Sequence, residues 1–183
     1  MVDNFHDAER LLGLSRAYWA SQVLFVAVRL ELFGHLDRNG PSTAAEVASF
    51  HGADPHATHK LLDALGGLDL LSKRGDRYQN APLASSFLVP GKEGYLGHAV
   101  HHAENLWPYW GELFRAVQTG RPTAFEVMEK SPYDYDHRLE DYLLAMRDQA
   151  TLLAPAVVQA LDMKGCRHLL DLGGGPGEYA RAF

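Results

Sequence analysis

The feature that most constrains this chain is an acid followed by three alternating glycines, Asp171, Gly173, Gly175 and Gly177, within HLLDLGGGPGEYARAF. The apolar run from His168 to Leu172 predicts a buried parallel strand, residues 173–177 a turn, and Glu178 onward the start of a helix. Glycine suits such a turn because it adopts backbone angles closed to other residues and lets main-chain N–H groups approach a ligand. A dinucleotide fingerprint counted from Gly173 needs glycine at 178, where this chain has Glu178. An acid at the carboxyl end of the strand repels a pyrophosphate but accepts hydrogen bonds from an ammonium group. The pattern therefore favours a zwitterionic amino-acid ligand over a polyphosphate.

A lone strand has no ladder partner and is not stable in water. Residues 168–183 are thus expected to need the rest of a sheet, which makes the chain the front portion of a longer protein.

Up to about Lys164 the chain reads as nearly all helical, apart from one short hairpin and one turn-rich segment. From Phe5 to Leu36 apolar residues recur at threes, fours and sevens, and Tyr18, Leu24, Phe25, Val28 and Leu32 widen the stripe beyond one face. Such a helix either pairs subunits or is buried in its own domain, and Val23 and Phe25 are the positions by which pairing would be probed. Thr43 with Glu46 is a capping-box pattern opening a short helix. Asp54-Pro55 caps and starts a second helix to about Gly66. Leu68, Leu70 and Leu71, a tip at Lys73-Arg74-Gly75-Asp76 and Arg77-Tyr78-Gln79 read as a hairpin, completing a winged-helix outline. A brief helix follows in PLASSFL, then a ring-rich helical stretch from Tyr95 to Gln118 divided at Pro108, a turn-rich segment over 119–136, and a long helix from about Asp136 to Asp162 with a bend at Pro155.

Composition narrows the class. The 183 residues are 46% hydrophobic and 22% charged, and a chain of this size buries about 70% of its unfolded surface. The amino terminus has no basic start or small-residue cleavage site, and Ser21, Gln22, Arg29 and Glu31 interrupt the longest apolar segment, so a cytoplasmic protein with no membrane partner is expected. The single cysteine, Cys166, excludes an internal disulfide and is expected to pack in the core. A net charge of −6 disfavours a nucleic-acid partner.

Taken in series, LELFGHLDRNGPSTAAEVASFHGADPHATHKLLDALGGLDLL with DRYQNAPLASSFL, then DYLLAMRD, then LLDLGGGPG resemble the class I S-adenosylmethionine-dependent O-methyltransferases of the dimeric plant and bacterial small-molecule type. That family includes acetylserotonin, caffeate and polyketide methyltransferases. The resemblance implies a mainly α chain with a winged-helix dimerisation domain over 1–100, a helical linker and substrate cover over 101–164, and the truncated start of a Rossmann-like cofactor domain over 165–183. It implies S-adenosylmethionine as cofactor, an aromatic or polyketide-type acceptor, a homodimer through the amino-terminal helices, and the remaining carboxy-terminal portion of the enzyme as a partner. The segment by itself would be inactive.

Carried over by position, Asp171, Gly173, Gly175 and Gly177 would line the methionine portion of the cofactor. Met146 would lie near cofactor and acceptor, or simply fill the helix core. Arg138 would reach a cofactor carboxylate with its guanidinium, or stand solvated on the surface. Trp107 and Trp110, with Tyr109 and Phe114, would roof the acceptor pocket, or pack in the core. Ala150 stands where several relatives carry a serine. His98, His101 and His102 share a helical face, and the spacing of His98 and His102 is that of a metal pair lacking a third ligand, so no metal is expected. The base and the ribose-binding acid of relatives lie beyond Phe183, so no residue here is named as catalytic.

Two other readings stay open. One is a winged-helix DNA-binding regulator. Against it, residues 41–80 carry four basic side chains (Lys60, Lys73, Arg74, Arg77) and five acidic ones (Glu46, Asp54, Asp63, Asp69, Asp76), a poor match to phosphates. The other is a dimerising fragment without catalysis.

Overall fold

The computed structural model describes residues 2–124, 127 and 135–183, side chains at 2–4 and 135–138 excepted. They form two compact units, Met1–Val89 and Pro90–Phe183.

The first unit opens with α1, Val2–Arg29, and α2, Leu32–Asn39. The single helix expected over 5–36 is therefore two. Glu31 takes left-handed angles (φ 49°, ψ 32°), and the N–H groups of Leu30 and Glu31 close α1 on the carbonyls of Val26 and Val28. A left-handed glutamate is unfavourable by itself; the turn it makes lets Leu32, Phe33 and Leu36 enter the core, each no more than 3% exposed.

The capping box forms as the sequence dictates. The Glu46 N–H donates to Thr43 Oγ1 at 3.2 Å, and the Thr43 N–H donates to Glu46 Oε2 at 2.7 Å, opening α3, Ala44–His51. Asp54 caps α4, Pro55–Gly67, by accepting from the Ala57 N–H at 2.7 Å, with proline in the first turn. Strands β1 (Ser42–Thr43), β2 (Leu71–Arg74) and β3 (Arg77–Asn80) form an antiparallel sheet in the order β1-β3-β2, with Lys73 opposite Tyr78 and Ser42 opposite Tyr78 on the other edge. The hairpin tip is narrower than expected: Lys73 and Arg74 belong to β2, and Gly75 (φ 62°) with Asp76 makes the turn. Leu62 and Leu65 of α4, Val47 of α3, Leu32 and Phe33 of α2 and Tyr78 of β3 are the largest fully buried side chains. Asn80 donates its amide to the Phe33 carbonyl at 2.8 Å, tying the wing to α2. A short helix α5, Pro82–Phe87, completes the unit.

Along α1, Phe5, Leu11, Leu12, Leu14, Tyr18, Trp19 and Val26 are exposed, and at 100° per residue they cover about half the helix circumference. By length and composition alone, Phe5–Arg29 would also suffice to cross a membrane, so the interruptions at Ser21, Gln22 and Arg29 do not by themselves exclude it. Phe25, by contrast, is buried.

In the second unit the ring-rich stretch divides into α6 (Gly97–Asn105), α7 (Trp107–Gly111) and α8 (Leu113–Thr119), with Pro108 in the first turn of α7. Half of the turn-rich segment expected over 119–136 lies outside the described residues. The long helix α9, Tyr135–Ala160, contains Pro155 and packs against α6 and against α10, Glu178–Ala182. Its inward side is small, with Ala145, Ala150 and Ala154 buried.

The strand expected at 168–172 does not form. Leu170 and Leu172 are 79% and 83% exposed. The physical reason is the one that makes a solitary strand unstable: among the described residues the run has no ladder partner. Cys166 is exposed and not a core residue.

Candidate functional site

The glycine loop takes the conformation its composition requires. Gly173, Gly175 and Gly177 have φ of 71°, 54° and 79°, angles at which any other residue is strained. Gly174 has an ordinary φ, but a Cβ there would collide with the Asp171 carboxylate, which lies against it. The Gly177 N–H donates to the Gly174 carbonyl at 2.9 Å, and the Arg181 N–H to the Gly177 carbonyl at 3.0 Å. The loop thus runs directly into α10. Arg181 pairs with Glu178 at 3.2 Å.

A second constellation joins α6 and α9. Asp148, almost fully buried, accepts from the backbone N–H of His98 at 3.1 Å and of Ala99 at 3.4 Å, capping α6. Both its oxygens lie 3.1 Å from His98 Nδ1. Two turns away along α9, Asp141 lies 3.2 Å from His101 Nδ1 and accepts from the Asn105 amide at 2.9 Å. The His102 ring meets Tyr142 edge-on at 5.4 Å, and burial holds its pKa below the ordinary value, Asp141 opposing and His101 assisting. The three histidines therefore turn to separate partners on α9. Among the described residues no group of three His, Cys, Asp or Glu side chains is placed to hold a metal.

Of the residues singled out by sequence, Asp171, Gly173, Gly175 and Gly177 come together in one turn. Met146 is half-buried on α9, and Trp107 and Trp110 stand exposed on α7, as does Phe114 on α8, so these three rings do not pack in a core within this chain. Arg138 belongs to α9, and its side chain lies outside the described residues. Asp148, Asp141 and Asn105 were missed. The signal present was two aspartates seven apart on a helix, on the side that also carries the buried Ala145.

The chain thus runs from a first unit of helices with a three-stranded antiparallel sheet to a helical second unit that ends in the acid-and-glycine loop. Residues 12–90 match the O-methyltransferase dimerisation domain. The chain is 36% identical to an acetylserotonin O-methyltransferase of Mus musculus, the match covering 96% of this chain and 49% of the relative. It is 34% identical to the N,N-dimethyltransferase OxyT of Streptomyces rimosus, covering 94% and 52%. In fold it matches the crystal structure of human N-acetylserotonin methyltransferase in complex with SAM, with a TM-score of 0.81, 28% identity and coverage of 96% and 55%. Residues 12–90 are thus similar to the O-methyltransferase dimerisation domain, and nearly the whole length of the chain is similar to methyltransferases, acetylserotonin O-methyltransferases among them. It spans about half the length of the relatives it matches.

Proposed function

We propose that this chain is the amino-terminal portion of an enzyme that transfers a methyl group from S-adenosylmethionine to a hydroxyl of an aromatic or polyketide-type small molecule. In this reading the segment supplies dimerisation, the cover of the acceptor and the first cofactor motif. The observation that carries it is the loop at 171–177, where three glycines hold left-handed angles beside a carboxylate in a chain homologous to named O-methyltransferases.

The loop suits the methionine portion of the cofactor on chemical grounds. The Asp171 carboxylate can accept from an ammonium group, and the alternating glycines leave no side chain between the backbone and a ligand. Arg138 would supply a two-pronged donor to the cofactor carboxylate, and Met146 an apolar, polarisable contact near both substrates. When bound, S-adenosylmethionine supplies an electrophilic methyl on a sulfonium. The chain's own role is to orient and enclose. Trp107 and Trp110 offer exposed ring faces to a flat acceptor, and enclosure brings nucleophile and methyl into line.

The dimerisation-domain match takes in most of α1. Its exposed apolar half is accordingly read as a surface for a second copy of the chain, in a protein without a membrane partner and in a cytoplasmic setting.

The test is transfer of labelled methyl from S-adenosylmethionine to 1-naphthol by the polypeptide that carries this chain. Labelled naphthyl methyl ether supports the proposal; label on 1-naphthylamine but not on 1-naphthol would move the enzyme to the N-methyltransferases, in line with the OxyT relationship. Tight, salt-sensitive binding of duplex DNA would favour a regulator instead.

A further inference from the structure

The Asp148–His98 pair does more than a helix cap requires. A buried carboxylate at the start of α6 is satisfied by the N–H groups of His98 and Ala99, yet the imidazole is held as well, Nδ1 lying 3.1 Å from both carboxylate oxygens. A carboxylate only accepts, so the Nδ1 facing it carries the proton, and in the neutral ring Nε2 is left as a lone-pair acceptor. Among the described residues Nε2 has no hydrogen-bond partner, and the side chain is 31% exposed against 4% for Asp148. The ring is also fixed from its other side, where Tyr95 meets it edge-on at 5.0 Å. Tyr95 can lie there because residue 97 is glycine: a Cβ at Gly97 would collide with the Tyr95 ring and hydroxyl. An imidazole clamped by a buried carboxylate and an aromatic ring, part-exposed and with its second nitrogen unpaired among the described residues, is a preorganised acceptor for an external O–H donor. It stands on the helix that leads into the exposed rings of α7.

Resting on the methyltransfer reading, we propose that His98 is a specificity-determining residue whose Nε2 accepts a hydrogen bond from a hydroxyl of the phenol-type acceptor, with Asp148 as the positioning residue that fixes its tautomer. The structural alternative is that His98 only ties α6 to α9.

Asparagine separates the two, because its amide nitrogen can take the place of Nδ1 and keep the donor to Asp148 while nothing remains at Nε2. In the polypeptide that carries this chain, His98→Asn is expected to keep the wild-type Tm and the KM for S-adenosylmethionine. The KM for 1-naphthol should rise about three- to tenfold, the loss of one neutral hydrogen bond. His98→Gln, whose amide oxygen can reach the Nε2 position, should recover most of that KM at a lower Tm. An unchanged naphthol KM in His98→Asn, whatever its Tm, overturns the proposal.

A second arm needs no turnover. In protein with 15N-labelled histidine, the His98 ring is expected as the Nδ1–H tautomer, with its Nε2 resonance shifting on titration with 1-naphthol; the Nε2–H tautomer or an unmoved resonance overturns the proposal. Wild-type protein that transfers no methyl while His98 Nε2 still responds to 1-naphthol would remove the methyltransfer reading and leave the acceptor role of His98 standing.

Discussion

Tyr78 on the central strand of the wing donates its hydroxyl to Asp63 of α4 at 2.6 Å. The tyrosine ring is 1% exposed. Lys73, opposite Tyr78 in the ladder, donates to the same Asp63 oxygen at 2.8 Å and lies over the ring at 4.8 Å. These hydrogen bonds from Lys73 and Tyr78 hold the Asp63 carboxyl below its ordinary range. The wing is thereby fastened to the helix it covers by one buried and one exposed donor.

Tyr78→Phe should therefore lower the urea midpoint of the protein without changing its far-ultraviolet spectrum, since the ring still fills the core. Leu62→Ala, at a fully buried position, should cost more, about 2–5 kcal/mol. A Tyr78→Phe loss as large as that of Leu62→Ala would show that the hydroxyl, and not the ring, holds the wing.

Acid should loosen the first unit through a histidine pair. The His35 and His51 rings lie 5.4 Å apart, and Phe50 packs on His35 at 4.5 Å. Burial lowers the His35 pKa, with His51 and Arg38 adding to the effect; burial also lowers that of His51, against an opposing pull from Glu31. Folded pKa values below the unfolded one mean that the unfolded chain binds more protons in this window. Stability is then complete above about pH 6.5 and falls as the pH drops through the folded values. The lowered carboxylates Glu46 and Asp63 act in a separate window, below their ordinary values of 4.5 and 3.8. Urea midpoints measured from pH 7.5 to 5 should fall, and the slope should flatten in His51→Gln. A flat wild-type profile over that range refutes the idea.

The loop should not tolerate side chains. Gly175→Ala places a Cβ at φ 54°, a strain of about 1–2 kcal/mol. Gly174→Ala acts differently, because its Cβ would displace the Asp171 carboxylate. In the polypeptide that carries this chain, calorimetry should show each variant binding S-adenosylmethionine at least about tenfold more weakly, equivalent to about 1.4 kcal/mol. Wild-type affinity in Gly174→Ala would mean that Asp171 is not held there for the ligand.

What the sequence disclosed follows the range of the interactions. The Thr43–Glu46 box and the Asp54-Pro55 start were legible because cap and helix lie within three residues of each other. The hairpin was legible because Gly75 marks its turn. The break at Glu31 was not, since nothing local favours a left-handed glutamate; the gain comes from burying Leu32 and Phe33. The strand at 168–172 was read from an apolar run that describes a residue's preference for burial but supplies no neighbour to pair with. In the candidate site, the glycine angles were legible from residue type. The His98–Asp148 clamp, spanning 50 residues of chain, depends on how α6 lies against α9, which periodicity does not encode.

The same limit decides how the α1 interface must be tested. Val23 and Phe25 fall on the broad apolar stripe, but Phe25 is 8% exposed within its own unit, and a charge there would unfold the domain instead of simply separating the subunits. Leu12 and Trp19 are the better probes: they lie seven residues apart on the exposed half of α1, at 49% and 56% exposure. If that half is covered by a second copy, Leu12→Glu with Trp19→Arg places charges in an apolar interface and should convert the dimer to a monomer by light scattering, while the urea transition of the first unit is retained. A dimer of undiminished mass would move subunit pairing away from this face of α1, and a wild-type protein that pellets with vesicles would give the face to lipid.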